Sequence, residues 1–362
     1  MRVKLSFKFF LCFFLLVCFV AVLIFGNKKK KKQFEIALVT DTGSIDDKSF
    51  TQGAWNGIIE YAEKNNIGYK YYQPINGNED SLLSNIDIAV RGGAKLIIAT
   101  GFLNELAIYR SQDKYNYIKF VLVDGIPNDG SDFKTGENTI SLSYAEDEAG
   151  FLAGYFAVKD GYKKLGFMGG AAMPPVIKYG YGFVQGAEFA SKELNLQNNE
   201  VEIKYYYTGE FKASPEFQAM ATSWYNNSTE IIFACGGALG NSVMAAAESL
   251  NKKVIGVDID QSSESETVIT SALKHVKSSV FECVKDYHTG NFPGGENLVF
   301  CSKNDGIGLE IKNSRFKNFD NDDYEKILNL LKDKKIELIE NIEESGSPSI
   351  IKTNFIKITE IK

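Results

Sequence analysis

Histidine is nearly absent from this chain: His275 and His288 are its only two among 362 residues. That excludes a histidine-rich metal site and leaves little room for histidine acid–base chemistry. Cysteine is sparse as well, and Cys12, Cys18, Cys235, Cys283 and Cys301 include no CxxC pair. Neither a zinc site nor a disulfide framework is signalled, and Cys235, Cys283 and Cys301 read as buried thiols. Positive charge is in deficit, with 40 Lys+Arg against 46 Asp+Glu and a net charge of −6. Apart from one short lysine run there is no basic stretch, so no nucleic-acid partner is expected. A Ser/Pro/Gly-rich linker is also missing, which favours a compact hinge over a flexible tether. No cofactor and no metal are called for.

What is present is a globular composition, 44% hydrophobic and 24% charged, with a length that suits two domains. Residues 1–33 stand apart. Arg2, Lys4 and Lys8 precede "FFLCFFLLVCFVAVLIFG", residues 9–26, and Lys28 to Lys32 follow it. A basic leader with an apolar run near bilayer length reads as a signal peptide or an uncleaved membrane anchor. Cys18 follows Val17, where a lipidated cysteine ordinarily follows a small residue, so lipoprotein and transmembrane anchoring both stay open.

From Phe34 onward, short apolar runs alternate with amphipathic helical stretches: "FEIALVT" then "SFTQGAWNGIIEYAEKN", "AKLIIAT" then "NELAIYRSQ". Near-continuous apolar strands between helices indicate an α/β fold with parallel sheet covered on both faces. The rhythm restarts near Tyr144, which implies two doubly wound lobes. The expected division is 34–143 plus 270–300 for the first lobe and 144–269 plus 301–362 for the second. In such sheets ligands bind beyond the carboxyl ends of the strands, which directs attention to the loops at Asp41 to Phe50, Gly101-Phe102, Asp124-Gly125, Gly169-Gly170, Gly209 to Phe211, Gly236-Gly237 and Asp258 to Gln261.

The first of these loops admits several readings. Asp41-Thr42-Gly43 resembles half of an aspartic protease site, but such enzymes need a second Asp-Thr/Ser-Gly loop on an all-β frame. Asp129-Gly130 and Asp305-Gly306 lack the hydroxyl residue. Asp41 with Asp46-Asp47 resembles the calcium loop of a nucleoside hydrolase with one carboxylate missing, a real loss for an ion that takes six to eight oxygens. That hydrolase is the best enzymatic alternative. As a binding loop, Asp41 would offer a carboxylate at a strand end, Phe50 would present a ring to the cleft, and Asp46-Asp47 would cap the helix between them.

Five segments then carry a family resemblance: "DTGSIDDKSFTQGAWNG", "KKLGFMGG…VIKYGYGFVQGA", "EIIFACGGALGNSVMAAAE", "VIGVDIDQ" and "TSALKHV". Together, from Phe34 to Gly308, the chain resembles the basic membrane protein family of bacterial substrate-binding lipoproteins, which includes purine nucleoside receptor proteins. The resemblance implies a type I periplasmic-binding-protein fold, two Rossmann-like lobes on a multi-strand hinge, rather than an enzyme. It further implies a monomer anchored in the cell membrane on the extracytoplasmic side, delivering purine nucleosides to an ABC transporter permease. Ligand contacts are carried over to Asp41, Phe50, Asp124, Asp258 and Lys274. Phe211 is the second stacking ring, with Phe233 as a weaker candidate, and Gly236-Gly237 either form a tight turn or let backbone approach the ligand. Thr51 and Asn241 depart from the family pattern, so base preference can differ. A receptor for a sugar or another small metabolite on the same fold is the alternative.

Overall fold

A computed structural model describes residues 34–339, 342–343 and 345–361. The expected membrane segment and lysine run lie outside the described residues, among which no helix is long and apolar enough to cross a membrane.

The first sheet contains β1 (Phe34–Val39), β2 (Gly68–Tyr72), β3 (Leu96–Thr100), β4 (Lys119–Val123), β5 (Thr139–Tyr144) and β11 (Asn297–Phe300), in the order β11-β5-β4-β3-β1-β2. The second contains β6 (Lys164–Gly169), β7 (Val201–Tyr207), β8 (Ile231–Cys235), β9 (Lys253–Asp258), β10 (Val268–Lys274), β12 (Ile307–Leu309) and β13 (Ile356–Glu360), in the order β12-β10-β9-β8-β6-β7-β13. All pairings are parallel except β10 with β12. The apolar runs become central strands because helices cover both faces: β3 and β8 are buried at every position.

Both sheets share one winding. β2-β1-β3-β4-β5 and β7-β6-β8-β9-β10 each reverse direction between their second and third strands, where a doubly wound sheet opens a crevice. The chain passes between the sheets after Tyr144, after Lys274 and between Phe300 and Ile307. Residues 270–274, expected in the first lobe, belong instead to the second sheet. β10 has partners on both sides, β9 and β12, so the crossing can begin only after Lys274.

Two close helix contacts follow the crossings after Lys274 and Tyr144. Helix Val276–Thr289 lies on helix Phe50–Asn65, and a Cβ on Gly57 would fall 2.4 Å from the Lys277 carbonyl, so only glycine permits that approach. Helices Glu146–Lys159 and Pro174–Glu193 meet in the same way through Gly150 and Gly182, whose missing side chains would strike the backbone of Tyr179 and Asp147. This close packing carries the first residue of one helix and Tyr179 of the other toward the cleft.

Candidate ligand-binding cleft

Each topological reversal opens onto the cleft. Beyond β1 and β3, the Asp41 carboxylate lies against Gly101, where a Cβ would fall 2.0 Å from Oδ2. Beyond β6 and β8, a Cβ on Gly236 would fall 2.9 Å from the Gly170 nitrogen. Both crevices are therefore lined by bare backbone, which brings side chains from the following loops close together. Asp41 accepts from the Gly43 N–H at 2.8 Å through Oδ1. Burial, against the pull of the Gly43 amide, raises the Asp41 pKa to about 6.

Asp47 caps the next helix, accepting from the backbone N–H groups of Ser49, Thr51 and Gln52 at 2.9, 3.0 and 3.1 Å. That anchors Phe50 at the first helical position, half-buried against the cleft. From the second lobe, Phe211 is fixed by its carbonyl, which accepts from the Leu239 N–H at 3.1 Å. Its ring fills the space where a Cβ on Gly170 would sit, 2.5 Å away. Among the described residues neither ring stacks on the other.

Asp124, just after β4, and Asp258, the last residue of β9, adopt the left-handed conformation, at φ 64° and 65°. A non-glycine residue held there costs roughly 1–3 kcal/mol, and such strain gathers at functional sites. Both residues stand on the cleft wall. Asp258 accepts from the Ser49 hydroxyl of the other lobe at 2.5 Å and from the Tyr179 hydroxyl at 3.3 Å. Asp124 Oδ2 accepts from the Lys274 ammonium at 2.6 Å, while Oδ1 is buried without a partner.

Lys274, 2% exposed, is the buried cation of the cleft. Its ammonium also lies 2.9 Å from Glu146 Oε1 and over the rings of Phe50, Tyr144 and Tyr179 at 5.2, 5.1 and 5.6 Å. Burial pulls its pKa down, but Asp124, Glu146 and Asp258 reverse that, and the net direction is upward. Two of the acids it faces are raised in turn, by burial. Burial pushes Asp124 up to about 7 against the pull of Lys274, and raises Asp258 in the same way.

Most of these groups, though not Ser49, Tyr144 or Glu146, line a cavity of about 500 Å³, within the range of small-molecule sites. Asp41, Phe50, Asp124, Phe211, Gly236, Gly237, Asp258 and Lys274 all stand on its wall. Gly237 adopts φ 56°, a conformation suited to a glycine turn. Phe233 does not reach the cavity. It is fully buried among Phe167, Tyr179 and Phe183, because its position in β8 turns its ring to the core. Thr51 lines the cavity, whereas Asn241 is exposed and away from it. Asp260 accepts from Ser262 and Asn313 and takes no place in the wall. Cys301, read as buried, is half-exposed, while Cys235 and Cys283 are buried.

The Bmp family model, described as ABC transporter substrate-binding protein PnrA-like, matches residues 34–344. The chain belongs to this family. It is a substrate-binding protein of an ABC transporter, a class that works outside the cytoplasm. The ABC transporter nucleoside-binding protein BmpA of Lactococcus lactis is 28% identical over 309 residues, 79% of this chain and 84% of that protein. Basic membrane protein D of Borreliella burgdorferi is 29% identical over 321 residues, 85% and 87% of the two chains. A solved ABC transporter solute-binding protein from Aeropyrum pernix superposes with a TM-score of 0.76 at 22% identity, covering 86% of this chain and 95% of that one. That likeness shows the fold.

In this Bmp-family protein, Glu146, Tyr179 and Ser49 join the polar network although sequence reading did not single them out. Glu146 and Tyr179 sit on helices buried at most positions, where an apolar pattern hides a polar residue. One signal was available: a carboxylate opening such an apolar helix is almost never fully buried unless it is paired, so Glu146 called for a cationic partner.

Proposed function

We propose that this protein captures a purine nucleoside between its lobes and delivers it to an ABC importer. The N-terminal segment tethers it, as a monomer, on the extracytoplasmic side. The observation that carries the reading is the pairing of two half-buried rings, Phe50 and Phe211, from opposite lobes with a buried donor and acceptor side by side, Lys274 and Asp124 Oδ1. A flat heteroaromatic base suits the rings, since every base offers a π face. A sugar hydroxyl both donates and accepts, so it satisfies Asp124 Oδ1 and Lys274 together. Asp41 Oδ2 can accept from a ring or exocyclic N–H, and Asp258 from a second hydroxyl once Ser49 or Tyr179 yields.

Charge narrows the ligand further. Asp41, Asp47, Asp124 and Asp258 crowd a cavity whose one buried cation is Lys274, so a phosphate would meet net repulsion. A neutral nucleoside fits where a nucleotide does not. The name of the Lactococcus relative, a nucleoside-binding protein, supports the same reading.

The test is to purify the protein without refolding, denature it, and identify the released small molecule by mass spectrometry. A nucleoside supports the reading; a free sugar in its place favours the sugar receptor. Continuous release of free base from added nucleoside would mark a hydrolase.

A further inference from the structure

We propose that Glu146 is a positioning residue for ligand capture: from behind the cleft wall it holds the Lys274 ammonium so that one N–H and the free Asp124 Oδ1 meet the same ligand hydroxyl. Glu146 is 2% exposed and stands outside the cavity lining, so it acts through Lys274 and not on the ligand. It opens the helix that follows one lobe crossing, and Lys274 ends the strand that precedes another. Asp124 belongs to the opposite lobe. The ammonium therefore lies where both lobes and the hinge converge.

Donor arithmetic supports the assignment. An ammonium has three N–H donors; Asp124 Oδ2 takes one at 2.6 Å, and Glu146 Oε1 pairs with the charge at 2.9 Å. Phe50, Tyr144 and Tyr179 surround the ammonium with ring faces, which offer no competing carboxylate, so an N–H is left for a ligand. Lys178 Nζ lies 3.7 Å from the other Glu146 oxygen and helps hold that carboxylate in place. Without the Glu146 charge, Lys274 has Asp124 as its nearest anion, and the lysine is free to engage both Asp124 oxygens. Oδ1 is then consumed, and the donor–acceptor pair aimed at a hydroxyl disappears. The hydroxyl's identity rests on the nucleoside reading.

The test is Glu146→Gln, which keeps the shape and removes the charge. Wild-type and variant proteins are titrated with inosine and with 2′,3′-dideoxyinosine, and the Lys274 ammonium signal is followed by nitrogen-edited NMR without ligand. The expected result is a loss of inosine affinity of about tenfold or more, the scale of a hydrogen bond to a charged group. Dideoxyinosine should change by less than about threefold, since it lacks the hydroxyls that the pair addresses. In the ligand-free variant the ammonium protons should exchange faster with water. Equal losses for both ligands, or no loss for either, would overturn the proposal, as would an ammonium signal unchanged by the substitution. If wild type binds no nucleoside, the nucleoside reading fails, and the ammonium signal alone still decides the role of Glu146.

Discussion

Replacing Lys274 by methionine keeps the aliphatic stem and deletes the charge at the centre of the cleft. In the wild-type protein that charge lies 2.6 Å from Asp124 and 2.9 Å from Glu146, residues 9% and 2% exposed. Removing one partner of a buried ion pair costs ~3–5 kcal/mol, because it leaves an uncompensated charge in a medium of low dielectric. The variant can relieve part of that cost by binding a proton. Asp124 already has a folded-state pKa near 7, above its ordinary 3.8. A carboxylate raised on folding contributes stability that is fully present below its unfolded pKa and is lost as pH rises through the folded one. Without the ammonium the folded pKa rises further, so the penalty is largest in alkaline solution and shrinks in acid. Urea unfolding monitored by the fluorescence of Trp55 and Trp224 should place Lys274→Met about 3–5 kcal/mol below wild type at pH 8 and measurably closer at pH 5. A deficit equal at both pH values, or one below about 1 kcal/mol at both, would refute the buried charge cluster.

The other predictions concern the cleft wall. Phe50→Ala and Phe211→Ala should each cost ~1–3 kcal/mol of nucleoside affinity in calorimetry, the scale of one base–ring stack, with little change in thermal midpoint because both rings are only half-buried. Gly101→Ala should weaken binding and destabilise the fold, since the residue holds φ 94° and its Cβ would press on Asp41 Oδ2; wild-type affinity in that variant would show that Asp41 need not stay in place. Asp41 loses its role as an ionised acceptor as pH falls through about 6, so affinity should drop between pH 7.5 and pH 5, and Asp41→Asn should bind more weakly at pH 7.5 with a flatter profile.

The sequence made the frame legible because apolar runs such as "LIIAT" and "IIFAC" are short and uninterrupted, and helices of regular period lie between them. Asp41, Asp124 and Asp258 could be found because each polar residue closes such a run, and a strand end in a doubly wound sheet faces the crevice. Phe233 could not be placed, since inside a strand buried on both faces alternation does not reveal which side a ring takes. The boundary at residue 270 was misplaced for a related reason. β10 reads the same whichever sheet it joins, and its partner β12 lies more than thirty residues further on. Glu146 and Tyr179 stayed hidden because their roles depend on a helix pair closing through Gly150 and Gly182, and on Lys274 arriving from a strand over a hundred residues away in sequence from Glu146. Such meetings are set by tertiary packing, which local pattern does not encode.

The most direct test of the central claim is a calorimetric titration of the wild-type protein with inosine, guanosine and adenosine beside ribose, the free bases and inosine monophosphate. Tight binding of at least one nucleoside is expected, with ribose, the bases and the phosphorylated form much weaker, since each lacks the stacked ring, the hydroxyls or the neutral charge that the cleft addresses. Tight binding of ribose or of the monophosphate, with no response to any nucleoside, would contradict it.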